Sequence, residues 1–156
     1  MHPKEHGVTN FLNENNPIPT LLAFLICETV IHDAETQKKT LVGLFDQYLS
    51  SALPCQIAGL GLYAKLVEGS GQYMFKIRMV SLKDESQVLE LSTPGNWPVA
   101  EAPLEFGVNI RGIPILAFGA YEFQLYANDV YLGRAVFSVE KLQLPQLPFG
   151  PQATGG

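Results

Sequence analysis

Apolar and polar residues alternate with a period of two over most of the middle of the chain, and nowhere do apolar residues keep helical spacing for ten residues. The clearest case is Tyr73, Phe75, Ile77 and Met79 set against Lys76 and Arg78, a strand with one face in a core and the other in water. Leu104, Phe106, Val108 and Ile110 alternate in the same way with Glu105, Gly107, Asn109 and Arg111. From Leu21 to Ile31 nearly every position is apolar, and Thr29, Val30 and Ile31 are β-branched, which predicts a strand covered on both faces. The polar cluster from His32 to Lys38 ends it. Thr40 to Asp46 then returns as its antiparallel partner, in a register that sets Cys27 opposite Leu44. Residues 54–67 predict a third strand, with Leu60, Leu62, Ala64 and Leu66 turned to the core and Gly59, Gly61, Tyr63 and Lys65 turned away. Glycine at two successive outward positions asks for a bulge or a close backbone neighbour.

Turn chemistry separates the later segments. Glu68 to Gly71 and Lys83 to Ser86 are turns, Val88 to Leu91 is a short strand, and residues 92–102 read as a loop carrying Pro94, Gly95, Asn96, Trp97 and Pro98. Tyr121, Phe123 and Leu125 pair with Ala135, Phe137 and Val139 across a turn at Asn128-Asp129, two residue types that tolerate positive φ. The expected fold is therefore all-β: a single antiparallel β-sandwich of about eight strands, Ig-like or C2-like, with a closed barrel as the competing topology. Shared inward parity places Phe75, Ile77, Phe106, Val108, Phe123 and Phe137 in its core.

A chain of 156 residues makes one domain. Residues 1–19 read as a flexible arm, 20–142 as the sandwich and 143–156 as a Pro/Gly-rich tail, where Pro145, Pro148 and Pro151 keep the period of a polyproline II helix. Hydrophobic residues make up 47% and charged residues 16%, which excludes a disordered chain. The net charge of −5 speaks against nucleic acid or an anionic membrane as partner, since phosphate binding rests on clustered Lys and Arg. Leu21 to Cys27 is seven residues long against the roughly 20 needed to cross a bilayer. No basic leader or small-residue cleavage site accompanies it, so cytoplasmic residence is expected. Cys27 and Cys55 lie in apolar runs outside any metal spacing and read as buried free thiols.

The run CETVIHDAETQKKTLVGLFD, from Cys27 to Asp46, resembles the opening hairpin of a family of small, mostly bacterial β-sandwich proteins of unknown function. The matching positions are Glu28, Asp33, Thr36, Lys38 and the stretch Thr40 to Asp46. Gly119 to Leu125, followed by Leu132, Arg134 and Phe137, is similar to that family's closing hairpin. The resemblance spans residues 20–140. It implies the fold and a bacterial cytoplasmic setting, and it brings no catalytic residues with it.

No constellation for catalysis converges. His2 and His6 sit in the arm and His32 at a solvated strand end, so a nucleophile has no positioned imidazole. Gly59-x-Gly61 lies inside a strand and cannot open a phosphate-binding helix. Glu28, Asp33, Glu35 and Asp46 gather near one hairpin, but its register puts Asp33 and Asp46 at opposite ends, which argues against a shared metal. Neither cofactor nor metal is expected. Trp97 is either a stacking platform or a plug closing one end of the sandwich. The connection from Gly112 to Gly119 is anomalous, because Ile113, Ile115, Leu116 and Phe118 are large apolar residues where a polar loop is normal. Either this corner packs on the sandwich itself or it meets another chain. The second alternative makes Ile113, Ile115, Leu116, Phe118 and Trp97 a partner-binding surface. The expected function is a non-catalytic module that binds a protein or forms a homo-oligomer. The alternative is a small-molecule or carbohydrate binder using Trp97 with Tyr63 or Tyr73.

Overall fold

Alternating side chains from two facing sheets meet in one apolar core, and this positions everything else in the molecule. The computed structural model describes residues 16–143, which contain nine strands and no helix. In chain order they are β1 (Thr20–His32), β2 (Lys39–Leu44), β3 (Gln47–Ser50), β4 (Cys55–Val67), β5 (Gly71–Ser81), β6 (Gln87–Trp97), β7 (Leu104–Ile115), β8 (Gly119–Ala127) and β9 (Val130–Lys141). One sheet has the order β2-β1-β4-β7 and the other β3-β9-β8-β5-β6. Leu60, Leu62 and Leu66 of the first sheet are fully buried against Met79, Phe123, Leu125 and Val139 of the second. The proline-spaced tail and residues 1–15 of the arm lie outside the described residues.

The local rules that set the hairpins hold. Asn128 and Asp129 take φ of 47° and 64°, the two positive values that a type I′ turn requires. The Asn128 side chain accepts a hydrogen bond from the Met74 amide at 2.8 Å, fastening the turn to β5. Cys27 pairs with Leu44 as the hairpin register requires.

Three expectations are corrected. The described residues hold nine strands where about eight were expected, because the four residues of β3 form a parallel ladder with β9 that is too short to show alternation. Residues 92–97 are not loop but the second half of β6, paired with β5 out to Gly71 opposite Trp97. Pro94 is tolerated there because β6 is an edge strand with a free side. The connection at Gly112 is also strand: β7 runs on to Ile115, with Ile113 opposite Ile57 and Ile115 opposite Cys55. Gly112 has φ of +66°, and there the alternation slips, so that Ile110 and Ile113, three positions apart, both point inward.

Beyond Cys27, β1 parts from β4 and lies across the outer face of its own sheet. A Cβ on Gly107 of β7 would stand 2.5 Å from Val30 Cγ1, and one on Gly61 of β4 would stand 2.9 Å from Cys27 Sγ. Those outward glycines are therefore the close-neighbour sites, whereas Gly59 faces open space. The Asn109 side chain fixes the crossing by accepting from the Val30 N–H and donating to the Val30 C=O, both at 2.9 Å.

Candidate functional site

The corner does not present the apolar surface expected of it. Ile113 and Ile115 are 1% and 0% exposed, locked into the core by the slip at Gly112. Trp97 is 3% exposed; its indole N–H donates to the Ala102 carbonyl at 2.9 Å and its ring meets Tyr73 edge-on. Phe118 is half-buried against the core, and the Tyr121 hydroxyl holds the corner by donating to the Ala117 carbonyl at 2.6 Å. Only Leu116, 79% exposed, is open to another molecule. These five residues thus form no common surface, and the corner packs on the sandwich itself.

The other candidates are equally dispersed. Tyr63, on the outer face of the four-stranded sheet, donates to the Glu105 carboxylate, and its pKa is pushed up to about 12 by burial first and by that carboxylate second. Tyr73 is a core residue whose hydroxyl donates to the Pro17 carbonyl. Asp33 accepts the Glu35 and Thr36 amides at 2.9 and 3.2 Å, and these bonds hold its carboxyl below the usual range. Among the described residues no three His, Cys, Asp or Glu side chains gather as metal ligands would.

What the sequence did not reveal is a cleft. Among the described residues β6 ends one sheet and β7 ends the other, and along that side of the sandwich each is paired only with its inner neighbour, β5 and β4 respectively. The sheets part there around a cavity of about 590 Å³ lined by Phe75, Ile77, Leu91, Thr93, Leu104, Phe106 and Val108, with Ser92, Pro94, Gly95, Asn96 and Gly107 completing the wall. Among the described residues no charged side chain lines it. Phe75 and Phe106, one from each sheet, form its floor with ring centroids 5.5 Å apart and planes inclined at 45°. Phe106 and Val108 are consequently half-buried, not enclosed as their parity predicts. One signal was present in the sequence. The inward row of β6 narrows at Thr93 opposite Phe75, and a small residue in a core-facing row leaves space, whereas the place beside Gly95 is filled by the Phe75 ring.

Residues 22–140 match the model of a family of unknown function, DUF6941. No curated protein matches the sequence. Among solved structures, an alkylpurine DNA glycosylase from Pseudomonas fluorescens, bound to DNA containing an abasic site analog, is similar over 78% of this chain with 9% identity and a TM-score of 0.45. The chain spans about 30% of that enzyme's length. An immunoglobulin-like protein from Pseudomonas aeruginosa is similar over 79% of this chain and 97% of its own, with 13% identity and a TM-score of 0.41. Likenesses this distant carry no argument about activity. The family match covers both hairpins and every strand that builds the cleft, and the chain belongs to the DUF6941 family of unknown function.

Proposed function

We propose that this protein is a non-catalytic binding module that takes an extended, uncharged, apolar segment of a protein partner into the β6–β7 cleft. The observation that carries this reading is the cleft itself: an uncharged cavity of about 590 Å³ between two strands whose outer edges are unpaired. A segment entering beside β6 gains main-chain partners from its free edge, and its alternate side chains reach Phe75 and Phe106. The net charge of −5 favours a protein over nucleic acid or an anionic membrane, in the bacterial cytoplasm. Self-assembly through the same edge is the homo-oligomeric form of this reading. The strand order, with β3 parallel to β9 and β4 beside β7, supports an immunoglobulin-like sandwich over a C2-like one.

Selection of random eight-residue peptides on the full chain tests the proposal. The selected peptides should alternate apolar residues, lack charge, and bind Thr93→Trp, which fills the cleft from β6, at least tenfold more weakly than wild type. Peptides that bind both proteins equally would refute it. A small apolar ligand is the second reading, favoured because the cavity volume falls within the range of about 300–1,000 Å³ typical of small-molecule sites. An extra bound mass in native mass spectrometry of the wild type, absent from Thr93→Trp, would support that reading instead.

A further inference from the structure

The side of the sandwich opposite the β6–β7 cleft is also incompletely closed. β2 covers β1 only from Cys27 onward and β3 covers β9 only from Ser138 onward, so among the described residues the first halves of β1 and β9 have no outer neighbour. The Phe45 N–H donates to the Ile26 carbonyl at 3.2 Å and the Ser138 N–H to the Asp46 carbonyl at 2.9 Å, which fixes the side to which these residues turn their main chain. Main-chain direction alternates along a strand, so the N–H and C=O of Phe24 in β1, and of Arg134 and Val136 in β9, point outward as well.

Between these uncovered stretches lies a notch of about 410 Å³. Phe24, Ile26 and Ala135 form its floor, and Leu25, Leu44 and Val136 stand exposed around its mouth. The link through Phe45 closes one end, where that ring meets Phe137 edge-on. Leu21 closes the other, since a Cβ on Gly133 would stand 2.6 Å from its Cδ2. From Gly133 to Ser138 is five residues of strand, about 17 Å, which admits a segment of about four residues. In one group the notch differs from the cleft. Asp46 lines it, the only charged residue among the described ones to do so, and no described lysine or arginine pairs with its carboxylate.

We propose that this notch is a second docking site, for a short strand of a protein partner that carries a lysine or arginine. The strand adds to β9 along Arg134 and Val136, in the line that β3 continues beyond Ser138. Its alternate apolar side chains reach Phe24 and Ile26, and its cation meets Asp46. A net charge of −5 draws a basic segment and repels a second copy of this acidic chain. The notch shares no lining residue with the cleft, so the two sites stand or fall separately.

Selection of six-residue peptides on the full chain, acetylated and amidated so that only side chains carry charge, tests the proposal. Peptides of the notch should alternate apolar residues, carry a lysine or arginine, and bind about tenfold more weakly to Val136→Pro, which removes one outward N–H and no ladder bond. Asp46→Asn should weaken them about fivefold, a difference that high salt removes. Leu44→Lys alters only an exposed position and sets a cation against the incoming one, so it should weaken the same peptides even where Val136→Pro fails to fold. Thr93→Trp should leave them unaffected. If no selected peptide is weakened by Val136→Pro or Leu44→Lys, the notch is overturned, whatever becomes of the cleft. Peptides weakened by Val136→Pro but indifferent to Asp46→Asn would overturn the basic partner. Self-association of the wild type in sedimentation equilibrium that both Val136→Pro and Leu44→Lys abolish would assign the notch to a second copy and overturn the proposal as well.

Discussion

Replacing Asn109 by Ala should release the β1–β2 hairpin from the face of the sheet without dismantling the sandwich. The Asn109 amide makes two hydrogen bonds to the Val30 backbone, at 2.9 Å each, and both are partly shielded from solvent. At about 0.5–1.5 kcal/mol net per bond, their loss costs about 1–3 kcal/mol, the higher figure applying if Val30 keeps a dry, unpaired amide. Underneath lies Cys27, 0% exposed, with its thiol pKa pushed up by burial. Its reaction with a disulfide reagent at pH 7.5 therefore reports how often the hairpin lifts. A loss of about 2 kcal/mol raises that open population roughly 30-fold. In a Cys55→Ser background, which leaves Cys27 as the only thiol, Asn109→Ala should accelerate labelling by about that factor and lower the guanidinium unfolding free energy by about 1–3 kcal/mol. A labelling rate changed less than threefold would show that the crossing is held by Val30 packing over Gly107 and not by the clamp.

Ile115→Asp should unfold the protein, since an unpaired carboxylate cannot be accommodated at a fully buried position, whereas Leu116→Asp should stay within about 0.5 kcal/mol of wild type in urea denaturation. Phe123→Ala should cost about 3–5 kcal/mol in the same assay, and Phe106→Ala less than half as much because its ring borders the cleft; equal losses would mean the cleft is closed in solution. Tyr63 is raised from 10 to about 12, so its neutral form is favoured by folding: that contribution is whole below pH 10 and is lost as pH rises through 12. Tyr63→Phe should accordingly show a smaller fall in urea midpoint between pH 9.5 and 11.5 than wild type.

The parts of the fold governed by neighbouring residues could be read from the sequence. Asn128-Asp129 specifies a type I′ turn because its residues accept positive φ, and the pairing of Cys27 with Leu44 follows once that hairpin's short connection is recognised. Gly61 announced a close neighbour, but not that the neighbour was Cys27 on the strand that then crosses the sheet. The failures share a cause. Pro94 and Gly95 mark a loop if the strand is central and are tolerated if it is an edge, and edge or centre is a property of the whole sheet. Ile113 and Ile115 looked like a surface because one positive φ at Gly112 shifts the alternation, which hides a core row from any fixed-period reading. Phe106 is the instructive case for the site. Parity fixes the face on which a side chain lies, but whether the opposite sheet extends far enough to cover it depends on which strands end the two sheets.

Edge strands expose unpaired main-chain groups, and a β-sandwich must manage each of them. Here the four edges are β2 and β7 in one sheet and β3 and β6 in the other. β3 has four residues, too few to template a partner, and β2 has six and belongs to the hairpin that Asn109 clasps to the sheet. β7 carries Glu105 and Arg111 along its length and Pro114 near its end. β6 has a proline too, but Pro94 interrupts only its last third, and the charge at Glu90 is directed to Arg78 at 3.8 Å, across the strand pair and away from the free edge. The stretch from Gln87 to Thr93 is thus the long edge with the least protection, and its core-facing residues Leu91 and Thr93 are the ones that border the cleft. An unguarded edge and an unfilled apolar cavity at separate places would each be an aggregation hazard. Side by side, they have the two features that a bound strand needs: hydrogen-bonding partners for its backbone and a pocket for its side chains.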